Sequence, residues 1–316
     1  MAKKILLNVF YIACLSILTG ELALYAFGYR ANAETTLTFE GTTTLDAVLG
    51  WKHVPGSYHF TTQMMVSPRT FSITYLEDGR RASSRNVEIL RPALALFGCS
   101  FVEGFGLGDE ETFAWKLQEK LKDYTVENFG VAGYGTINSL LAFEQFAGRQ
   151  ENVSGRVAIY GFAEFHLLRN VQNPLIQRTW GEEGIFPVCN ENSCYSWRGK
   201  MMSGMFRRSR LFSLVENALH AVQQWRLRGE AERVTERLIL RMKQEAADQG
   251  IRLVIAPVAP LAERWLSFFR SSGLEVIQCA TPAMFQREYL LPDGHPNSGW
   301  SEMFSSCLAD RLSRAP

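Results

Sequence analysis

From residue 92 to the C-terminus, short apolar runs alternate with segments that carry apolar positions on one helical face. Residues 93–97 form a continuous apolar run, which is typical of a strand covered on both faces. Further strands are predicted at residues 125–129, 157–162, 251–256 and 274–279. Helical spacing predicts helices over residues 112–122, 137–146, 232–249, 261–270 and 300–314. This alternation predicts an α/β fold in which a parallel sheet has helices on both faces.

Two segments interrupt the alternation. Residues 31–91 are rich in Thr, Ser, Tyr and Phe and alternate apolar with polar positions around a turn at Asp78-Gly79, which predicts a β-rich lead-in beside the main domain. The main domain is expected to span residues 92–316, with an insertion at about 169–230 that contains a basic segment (207–210) and then a helix through Trp225. The insertion either shapes a substrate pocket or is a solvated surface excursion.

Residues 1–30 form a separate segment. Lys3 and Lys4 precede an apolar run that extends from Ile5 to Tyr29. A helix needs roughly 20 apolar residues to cross a bilayer, whereas the core of a cleaved signal has about 7–15. The length favours an uncleaved single-pass anchor in the inner membrane, with the lysines in the cytoplasm and the main domain facing the periplasm or exterior. A cleaved signal is the alternative, because Ala31-Asn32-Ala33 has the form of a cleavage site.

Composition narrows the classes of function. Apolar residues make up 47% of the 316-residue chain and charged residues 21%, as in globular proteins. The net charge of +1 gives no basis for a nucleic-acid partner, which needs a clustered basic face. The six cysteines lack the CxxC spacing of zinc sites and the five histidines do not cluster with them, so no metal site is expected.

Cysteine spacing is compatible with an oxidising compartment. Cys189 and Cys194 bracket a short polar turn and could close a small disulfide loop. Cys279 and Cys307 either pair as well or are two buried thiols.

The turn after the first strand of the main domain carries a candidate nucleophile. Residues 97–109 read FGCSFVEGFGLGD, and in open parallel sheets the reactive groups lie outside the carboxyl ends of the strands. Ser100 lies where a tight turn can expose its hydroxyl and backbone N–H; an ordinary glycine-rich turn is the alternative. The segment lacks the lysine of a P-loop, the GxGxxG of a dinucleotide site and the GxSxG of a nucleophile elbow, so no cofactor is expected.

The candidate base lies near the C-terminus, in LLPDGHPNSGW, residues 290–300. A serine hydroxyl needs an imidazole to accept its proton, and the imidazole works best when a carboxylate fixes its tautomer. Only His295 among the five histidines has a near-neighbour aspartate, Asp293, in a polar turn before the last helix. Because this turn also follows a strand, Asp293 and His295 are expected to meet Ser100 at the carboxyl edge of the sheet; an exposed turn histidine is the alternative.

The order of these elements resembles the SGNH (GDSL-type) hydrolases from about residue 92 to the C-terminus. Gly98-Cys99-Ser100 resembles the first block of the family, residues 128–136 (NFGVAGYGT) the second, and residues 293–299 (DGHPNSG) the last. The resemblance implies a flavodoxin-like α/β/α sandwich with a five-stranded parallel sheet. It further implies that Ser100 is the nucleophile, that Asp293 and His295 are its partners, and that the N–H groups of Ser100 and Gly133 form an oxyanion hole.

Three positions depart from the family pattern. Cys99 replaces the first-block aspartate, which supports the turn and is not the triad acid, and the last block reads Asp-x-His rather than Asp-x-x-His. After the third strand the family commonly has an asparagine that donates to the oxyanion, where this chain has Ala163 or Glu164. An ionised glutamate cannot donate. Either His166 or Asn170 supplies the donor, or the hole has only two N–H groups, or hydrolysis has been lost.

These observations predict an exported serine esterase that cleaves a carboxylic ester, with O-acyl groups of envelope glycans or lipids as candidate substrates. An O-acyltransferase is a close variant, because the same acyl-enzyme can pass its acyl group to a sugar hydroxyl. A non-catalytic envelope protein that uses the fold for binding or assembly is the alternative from another class. The retained serine, glycine and Asp–His pair argue against it.

Overall fold

The computed structural model describes residues 2–31, 41–62, 69–85, 91–149, 155–173, 183–200 and 208–314. Asn32 and Ala33 of the cleavage-like sequence and Arg207 of the basic segment lie outside the described residues. The helices are α1 (Ala2–Ala26), α2 (Ser100–Glu103), α3 (Phe113–Lys120), α4 (Thr136–Ala147), α5 (Arg210–Asp248), α6 (Glu263–Ser271) and α7 (Ser298–Ser313).

The strands are β1 (Thr43–Asp46), β2 (Gly50–His53), β3 (Gly56–Thr62), β4 (Arg69–Tyr75), β5 (Ala93–Phe97), β6 (Thr125–Asn128), β7 (Val157–Tyr160), β8 (Glu183–Cys189), β9 (Cys194–Lys200), β10 (Arg252–Ile255) and β11 (Glu275–Val276). Short 3₁₀ turns lie at Asp109–Glu111, Glu164–Arg169, Pro282–Phe285 and Arg287–Tyr289.

Five strands form the central sheet in the order β11-β10-β7-β5-β6, and every neighbouring pair is parallel. β5 comes first in the chain among these five and lies between the second and the third, so the strand order reverses at β5. A reversal of this kind opens a crevice outside the carboxyl ends of the strands. The predicted five-stranded parallel sheet is confirmed, and its crevice lies directly after Phe97.

The side chains of β5 contribute alternately to the two layers beside the sheet. Leu94 and Leu96 pack in the core beneath α3 and α7, whereas Ala93, Ala95 and Phe97 pack on the other face, toward α4, α5 and α6. All five residues are buried, as the continuous apolar run predicted. Burial of a large apolar side chain contributes about 1.5–3 kcal/mol, so the position of this strand is strongly specified.

The lead-in contains two antiparallel pairs, β1 with β2 and β3 with β4. The predicted turn follows β4, where the Gly79 N–H donates to the Leu76 carbonyl. Beyond it, the Arg81 N–H donates to the Asn128 carbonyl of edge strand β6. The buried Arg81 guanidinium donates to the carbonyls of Gly104 and Leu107 at 2.8 and 2.6 Å. The lead-in is therefore bonded to the segment that follows α2.

The described part of the insertion includes a hairpin of β8 and β9, closed by a disulfide between Cys189 and Cys194. This hairpin packs on the lead-in, where the ring centroids of Trp51 and Phe186 are 5.8 Å apart. A second disulfide joins Cys279 to Cys307, so these two residues are not free thiols.

Helix α5 is longer than the sequence pattern suggested. The two helices expected through Trp225 and over residues 232–249 are one helix of 39 residues, so the expected break is wrong. Gly229 costs a helix about 1 kcal/mol relative to alanine, but Arg228 pairs with Glu232 one turn later and Ala231 is fully buried. The Arg228–Glu232 ion pair and the burial of Ala231 together offset the cost of Gly229, so the helix is continuous.

Helix α1 includes most of the apolar N-terminal run that the sequence analysis described. Its segment Lys3–Ala26 is long and apolar enough to cross a membrane.

Candidate active site

Glycines at the ends of neighbouring strands allow α2 to pack closely against the sheet edge. A Cβ on Gly130, after β6, would lie 2.3 Å from the backbone nitrogen of Glu103. A Cβ on Gly161, after β7, would lie 2.4 Å from Cγ2 of Val102. Because atoms cannot approach so closely, larger residues at either position would displace α2. The two glycines thus seat Ser100, the first residue of α2, in the crevice at the end of β5.

Ser100, His295 and Asp293 form one hydrogen-bonded chain across this crevice. His295 Nε2 lies 3.0 Å from Ser100 Oγ, and His295 Nδ1 lies 2.9 Å from Asp293 Oδ2. Ser100 is 7% exposed, and the His295 side chain is 25% exposed. The structure therefore brings together the three residues that the sequence singled out, in the order hydroxyl, imidazole and carboxylate.

The loop that carries both members of the Asp–His pair is held by its own backbone. The Leu291 N–H donates to the His295 carbonyl at 2.7 Å, and the His295 N–H donates to Asp293 Oδ1 at 3.2 Å. Burial opposes ionisation of Asp293, but hydrogen bonds from His295 outweigh it and hold the pKa of this carboxyl below its ordinary value. An ionised Asp293 accepts from the Nδ1–H of His295, which leaves Nε2 able to accept the Ser100 proton.

Aromatic side chains surround the serine and the histidine. The ring centroid of Phe105 lies 4.8 Å from that of His295, and the Phe101 centroid lies 5.8 Å from it. Phe101 in turn packs against the exposed Phe165, at 5.5 Å. These rings give the site an apolar wall that suits an acyl chain or another apolar group.

The peptide that carries the Gly133 N–H is clamped from the lead-in and from α2. Trp51 Nε1 donates to the Ala132 carbonyl at 2.9 Å, and the Ala132 N–H donates to Glu103 Oε2 at 2.6 Å. The C=O and N–H of a trans peptide point in opposite directions. The bond from Trp51 therefore directs the Gly133 N–H away from the lead-in, and no described residue accepts a hydrogen bond from it.

Glu103 belongs to a buried network that begins in the lead-in. The Tyr75 hydroxyl donates to Glu103 Oε1 at 2.8 Å, and His53 Nε2 lies 3.5 Å from the same oxygen. Burial lowers the pKa of His53, so its ring is neutral near pH 7. No sequence pattern indicates these contacts, because they join residues far apart in the chain.

A Trp51→Phe variant tests the clamp on the Gly133 peptide. We expect kcat for ester hydrolysis to fall roughly threefold to tenfold with little change in KM, because one hydrogen bond worth about 0.5–1.5 kcal/mol is removed while an aromatic, though smaller, ring still packs at this position. Steady-state kinetics on a chromogenic acetyl ester provide the measurement. Trp197→Phe is the matched control, since Trp197 packs on Phe186 in the β8–β9 hairpin. Equal effects of the two substitutions would contradict the clamp.

Two residues of the segment after β7 are engaged elsewhere. The Asn170 amide donates to Thr136 Oγ1 at 3.0 Å and to Thr235 Oγ1 at 2.7 Å, so both amide hydrogens are used. Glu164 Oε1 accepts from the Ala262 N–H ahead of α6, at 2.7 Å. Asn170 thus ties this segment to α4 and α5, and the structure places no free amide hydrogen of Asn170 at Ser100.

His166 is fully buried beside Tyr160. Its Nδ1 lies 3.0 Å from the Tyr160 hydroxyl, which itself donates to Thr136 Oγ1. Burial, followed by the positive charge of Arg169, lowers the pKa of His166 well below its ordinary value, so the ring is neutral. The Ala163 N–H also donates to this Nδ1, at 3.4 Å, and the buried Nε2 of His166 has no hydrogen-bond partner among the described residues. His166 therefore stays a candidate for the missing oxyanion donor.

Arg169 lies between the two chain segments that carry the expected oxyanion donors, and the sequence pattern did not single it out. Its Nη1 donates to the Tyr134 carbonyl at 2.9 Å, and its guanidinium interacts electrostatically with the side chain of Cys99. Cys99 and Tyr134 are the direct neighbours of Ser100 and Gly133. Arg169 thus reaches from the segment after β7, past the end of β5, to the segment after β6. One sequence feature could have indicated this role: Arg169 is a cation in the same segment after β7 that lacks the asparagine donor common in the family.

The geometry is that of the expected fold. The strand order reverses at β5, the serine follows that strand, and the Asp–His pair precedes the last helix. The described residues thus have the α/β/α arrangement that the resemblance to the SGNH hydrolases implied.

No family model and no curated protein matches the chain. Solved structures that are similar to it include the following three. A member of the lipolytic G-D-S-L family from Veillonella parvula is 9% identical with a TM-score of 0.45, and the match covers 71% of this chain and 100% of that one. The esterase EstA from a Pseudoalteromonas species is 9% identical with a TM-score of 0.44, covering 71% and 98%. TesA is 12% identical with a TM-score of 0.42, covering 70% and 97%.

Proposed function

We propose that this protein is a membrane-anchored, exported serine hydrolase that cleaves carboxylic esters through an acyl-enzyme on Ser100. The observation that carries the proposal is the position of His295, whose two ring nitrogens lie 3.0 Å from Ser100 Oγ and 2.9 Å from Asp293 Oδ2. A protein that only binds a ligand has no need of this alignment, so it supports catalysis over the assembly-module alternative.

In the proposed reaction, His295 moves a proton from Ser100 to the departing alcohol while the acyl group is transferred to Ser100. His295 Nε2 accepts the hydroxyl proton as Ser100 Oγ bonds to the ester carbonyl carbon, and Asp293 stabilises the imidazolium that forms. The ester C–O bond then breaks, and the departing alcohol oxygen takes the proton from His295. Water attacks the acyl-enzyme in the reverse sense, which releases the carboxylic acid and restores Ser100.

The negative charge that develops on the carbonyl oxygen requires donors. The backbone N–H groups of Ser100 and Gly133 are two of them in this proposal. Arg169 is the third in place of the missing asparagine, because its guanidinium is held between the neighbours of both residues. Burial lowers the pKa of Arg169, yet a guanidinium keeps its charge in proteins. A cation stabilises an oxyanion more strongly than a neutral amide does.

The substrate class and location follow from the apolar wall and from α1. Phe101, Phe105 and Phe165 suit an acyl group, and O-acyl groups of envelope glycans or lipid esters provide one outside the cytoplasm. In this proposal α1 crosses the inner membrane once, with Lys3 and Lys4 in the cytoplasm and the remainder outside. The two disulfides are in keeping with an oxidising compartment.

A fluorophosphonate probe tests the proposed nucleophile in the detergent-solubilised full chain. Phosphonylation should be found by mass spectrometry on the peptide that contains Ser100, and it should abolish turnover of a chromogenic acetyl ester. No adduct and no turnover would favour the non-catalytic alternative, whereas an adduct on another serine would overturn the site. Assays on acylated glycans and lipid esters, with a sugar acceptor added, separate the products: free acid indicates a hydrolase and an acylated sugar indicates a transferase.

Replacing Arg169 with alanine is expected to lower kcat about 10²–10³-fold, the usual effect of losing one oxyanion donor, with a smaller change in KM. Arg169→Lys should retain part of the activity, and guanidinium ion added to the alanine variant should restore part of it. Arg233→Ala is the control, because Arg233 pairs with Glu191 in another part of the fold. An alanine variant with wild-type kcat, or one whose loss is matched by a loss of folded protein, would remove Arg169 from the oxyanion hole.

A further inference from the structure

The first half of α5 exposes a continuous apolar stripe. Its members recur every one to four residues on one side of the helix and are 41%, 48%, 55%, 56% and 80% exposed: Leu214, Val215, Leu219, Val222 and Trp225. Ser213 and Glu216, on another side of the same turns, are buried. A contiguous exposed patch of large apolar side chains marks an interaction surface.

The stripe begins at a junction between α5 and α1. Glu21 accepts hydrogen bonds from the backbone N–H groups of Arg210 and Leu211, each at 3.0 Å. Asn217 Nδ2 donates to the Tyr29 hydroxyl at 2.9 Å. The first turn of a helix has unpaired N–H groups and a partial positive charge, both of which favour a carboxylate. The start of α5 is therefore tied to the last turns of α1.

This junction determines how far the start of α5 lies from a bilayer that α1 crosses. Roughly 20 residues cross the hydrocarbon core, so a span that begins at Ile5, after the two lysines, ends near Leu24. Glu21 lies three residues before that point, about 4.5 Å along the helix axis at 1.5 Å per residue. The start of α5, about one turn before the stripe, therefore lies within one helical turn of the membrane–water interface.

We propose that this stripe lies in the outer membrane–water interface and makes a second contact between the protein and the lipid bilayer. The occupant is an anionic lipid surface, because an arginine stands near each end of the stripe, Arg208 before it and Arg226 after it. Trp225, near its distal end, is a residue type that favours the interface. The inference rests on α1 being the anchor of the proposed function, and it adds that α5 orients the catalytic domain on the membrane.

Spin labels on two sides of α5 test the contact in the full chain, reconstituted in nanodiscs with anionic phospholipid. The Cys14→Ser background leaves Cys99, which is buried, as the one unpaired cysteine of the described residues. A nitroxide at Val222→Cys should collide readily with lipid-soluble oxygen and lose its access to a water-soluble nickel chelate. The matched control is Gln224→Cys, two positions along and outside the stripe, where the chelate should have access.

Equal access of the chelate to both labels would overturn the proposal. So would a Val222 label that is immobilised and shielded from both reagents, because that result would indicate a second copy or another protein on the stripe. Folding of each variant is checked by fluorophosphonate labelling of Ser100. If wild-type protein shows no such labelling, the catalytic proposal fails while the spin-label result still stands. Release of a shortened chain into the soluble fraction would instead show that α1 is not an anchor.

The natural tryptophan offers an independent measurement without a label. Brominated lipids should quench part of the fluorescence of the wild-type chain, and this part should be missing in Trp225→Phe. The chain has seven tryptophans, so the difference between the two proteins isolates Trp225. Identical fractional quenching of both would contradict burial of Trp225 in the interface.

Discussion

Replacing Ser100 with alanine is expected to lower kcat for ester hydrolysis by about 10⁶-fold, the effect of removing the nucleophile from a triad that acts as a unit. The oxygen that would bond to the carbonyl carbon is lost, and His295 then has no proton to accept from it. The hydroxyl does not cap α2, because the residue that precedes the helix is Cys99. We therefore expect the variant to fold, with a midpoint of thermal unfolding close to that of the wild type.

Turnover of a chromogenic acetyl ester and covalent labelling by a fluorophosphonate measure this loss. Ser139→Ala is a suitable control, because Ser139 is also buried and its hydroxyl donates to the Gly135 carbonyl within the first turn of α4. That variant should lose some stability and keep most of its activity. Undiminished hydrolysis by the Ser100 variant would mean that the reaction takes place at another site.

The second large effect is expected from Asp293→Asn. Asparagine can present its amide N–H to His295 Nδ1, which favours the tautomer with its proton on Nε2 and leaves no lone pair for the Ser100 proton. Such a tautomer change lowers kcat by about 10⁴-fold in serine triads. The expectation is specific to kcat, since Asp293 contacts His295 rather than the substrate. Retention of more than a tenth of the activity would show that the imidazole does not depend on this carboxylate.

The same substitution has an effect on stability whose sign follows from the pKa of Asp293. This pKa is lower in the folded protein than in the unfolded chain, where it is about 3.9. The carboxylate therefore stabilises the fold above about pH 3.9, and that contribution is lost as the pH falls through the lower folded value. We expect Asp293→Asn to lower the urea midpoint of unfolding at pH 7 and to differ less from wild type at strongly acidic pH. A constant difference at every pH would contradict the ionised pair.

The meeting of Ser100, His295 and Asp293 could be inferred from sequence because it depends on local signals. A buried run at 93–97 ends in a glycine-rich turn with Ser100, and the Asp293–His295 pair sits in a turn just before a helix. Parallel strands place their carboxyl ends on one edge, so residues at two such turns meet although 195 positions separate them. The roles of Gly130 and Gly161 were not apparent from the sequence. They become apparent only in the structure, where α2 packs against both glycines and leaves no room for a side chain.

The oxyanion region could not be inferred in the same way. The sequence offered His166 and Asn170 as donors, but both amide hydrogens of Asn170 are used by Thr136 and Thr235, and only Nε2 of the buried His166 is left without a partner among the described residues. Arg169 lies between these two residues in sequence, yet its side chain extends to Tyr134. Where a side chain ends depends on which partners the fold brings within reach, and a sequence pattern does not contain that information.

The lead-in shows the same limit at a larger scale. Its alternating pattern predicted strands, and the described residues contain two antiparallel pairs. The pattern does not show that Trp51 holds the peptide of Gly133, or that Tyr75 holds the carboxylate that bonds to Ala132. A segment that reads as an appendage is therefore part of the structure around the site.

The sequence by itself determined the parallel sheet, the order of its elements, an apolar N-terminal segment of membrane-crossing length, and the serine, histidine and aspartate that meet at the sheet edge. These features follow from periodicity, turn chemistry and strand direction, which act over a few residues. Only the tertiary structure decided the partners of Asn170, the reach of Arg169, the clamp on the Gly133 peptide and the exposed stripe of α5. Those features depend on burial and on contacts between distant segments, which exist only after the chain has packed.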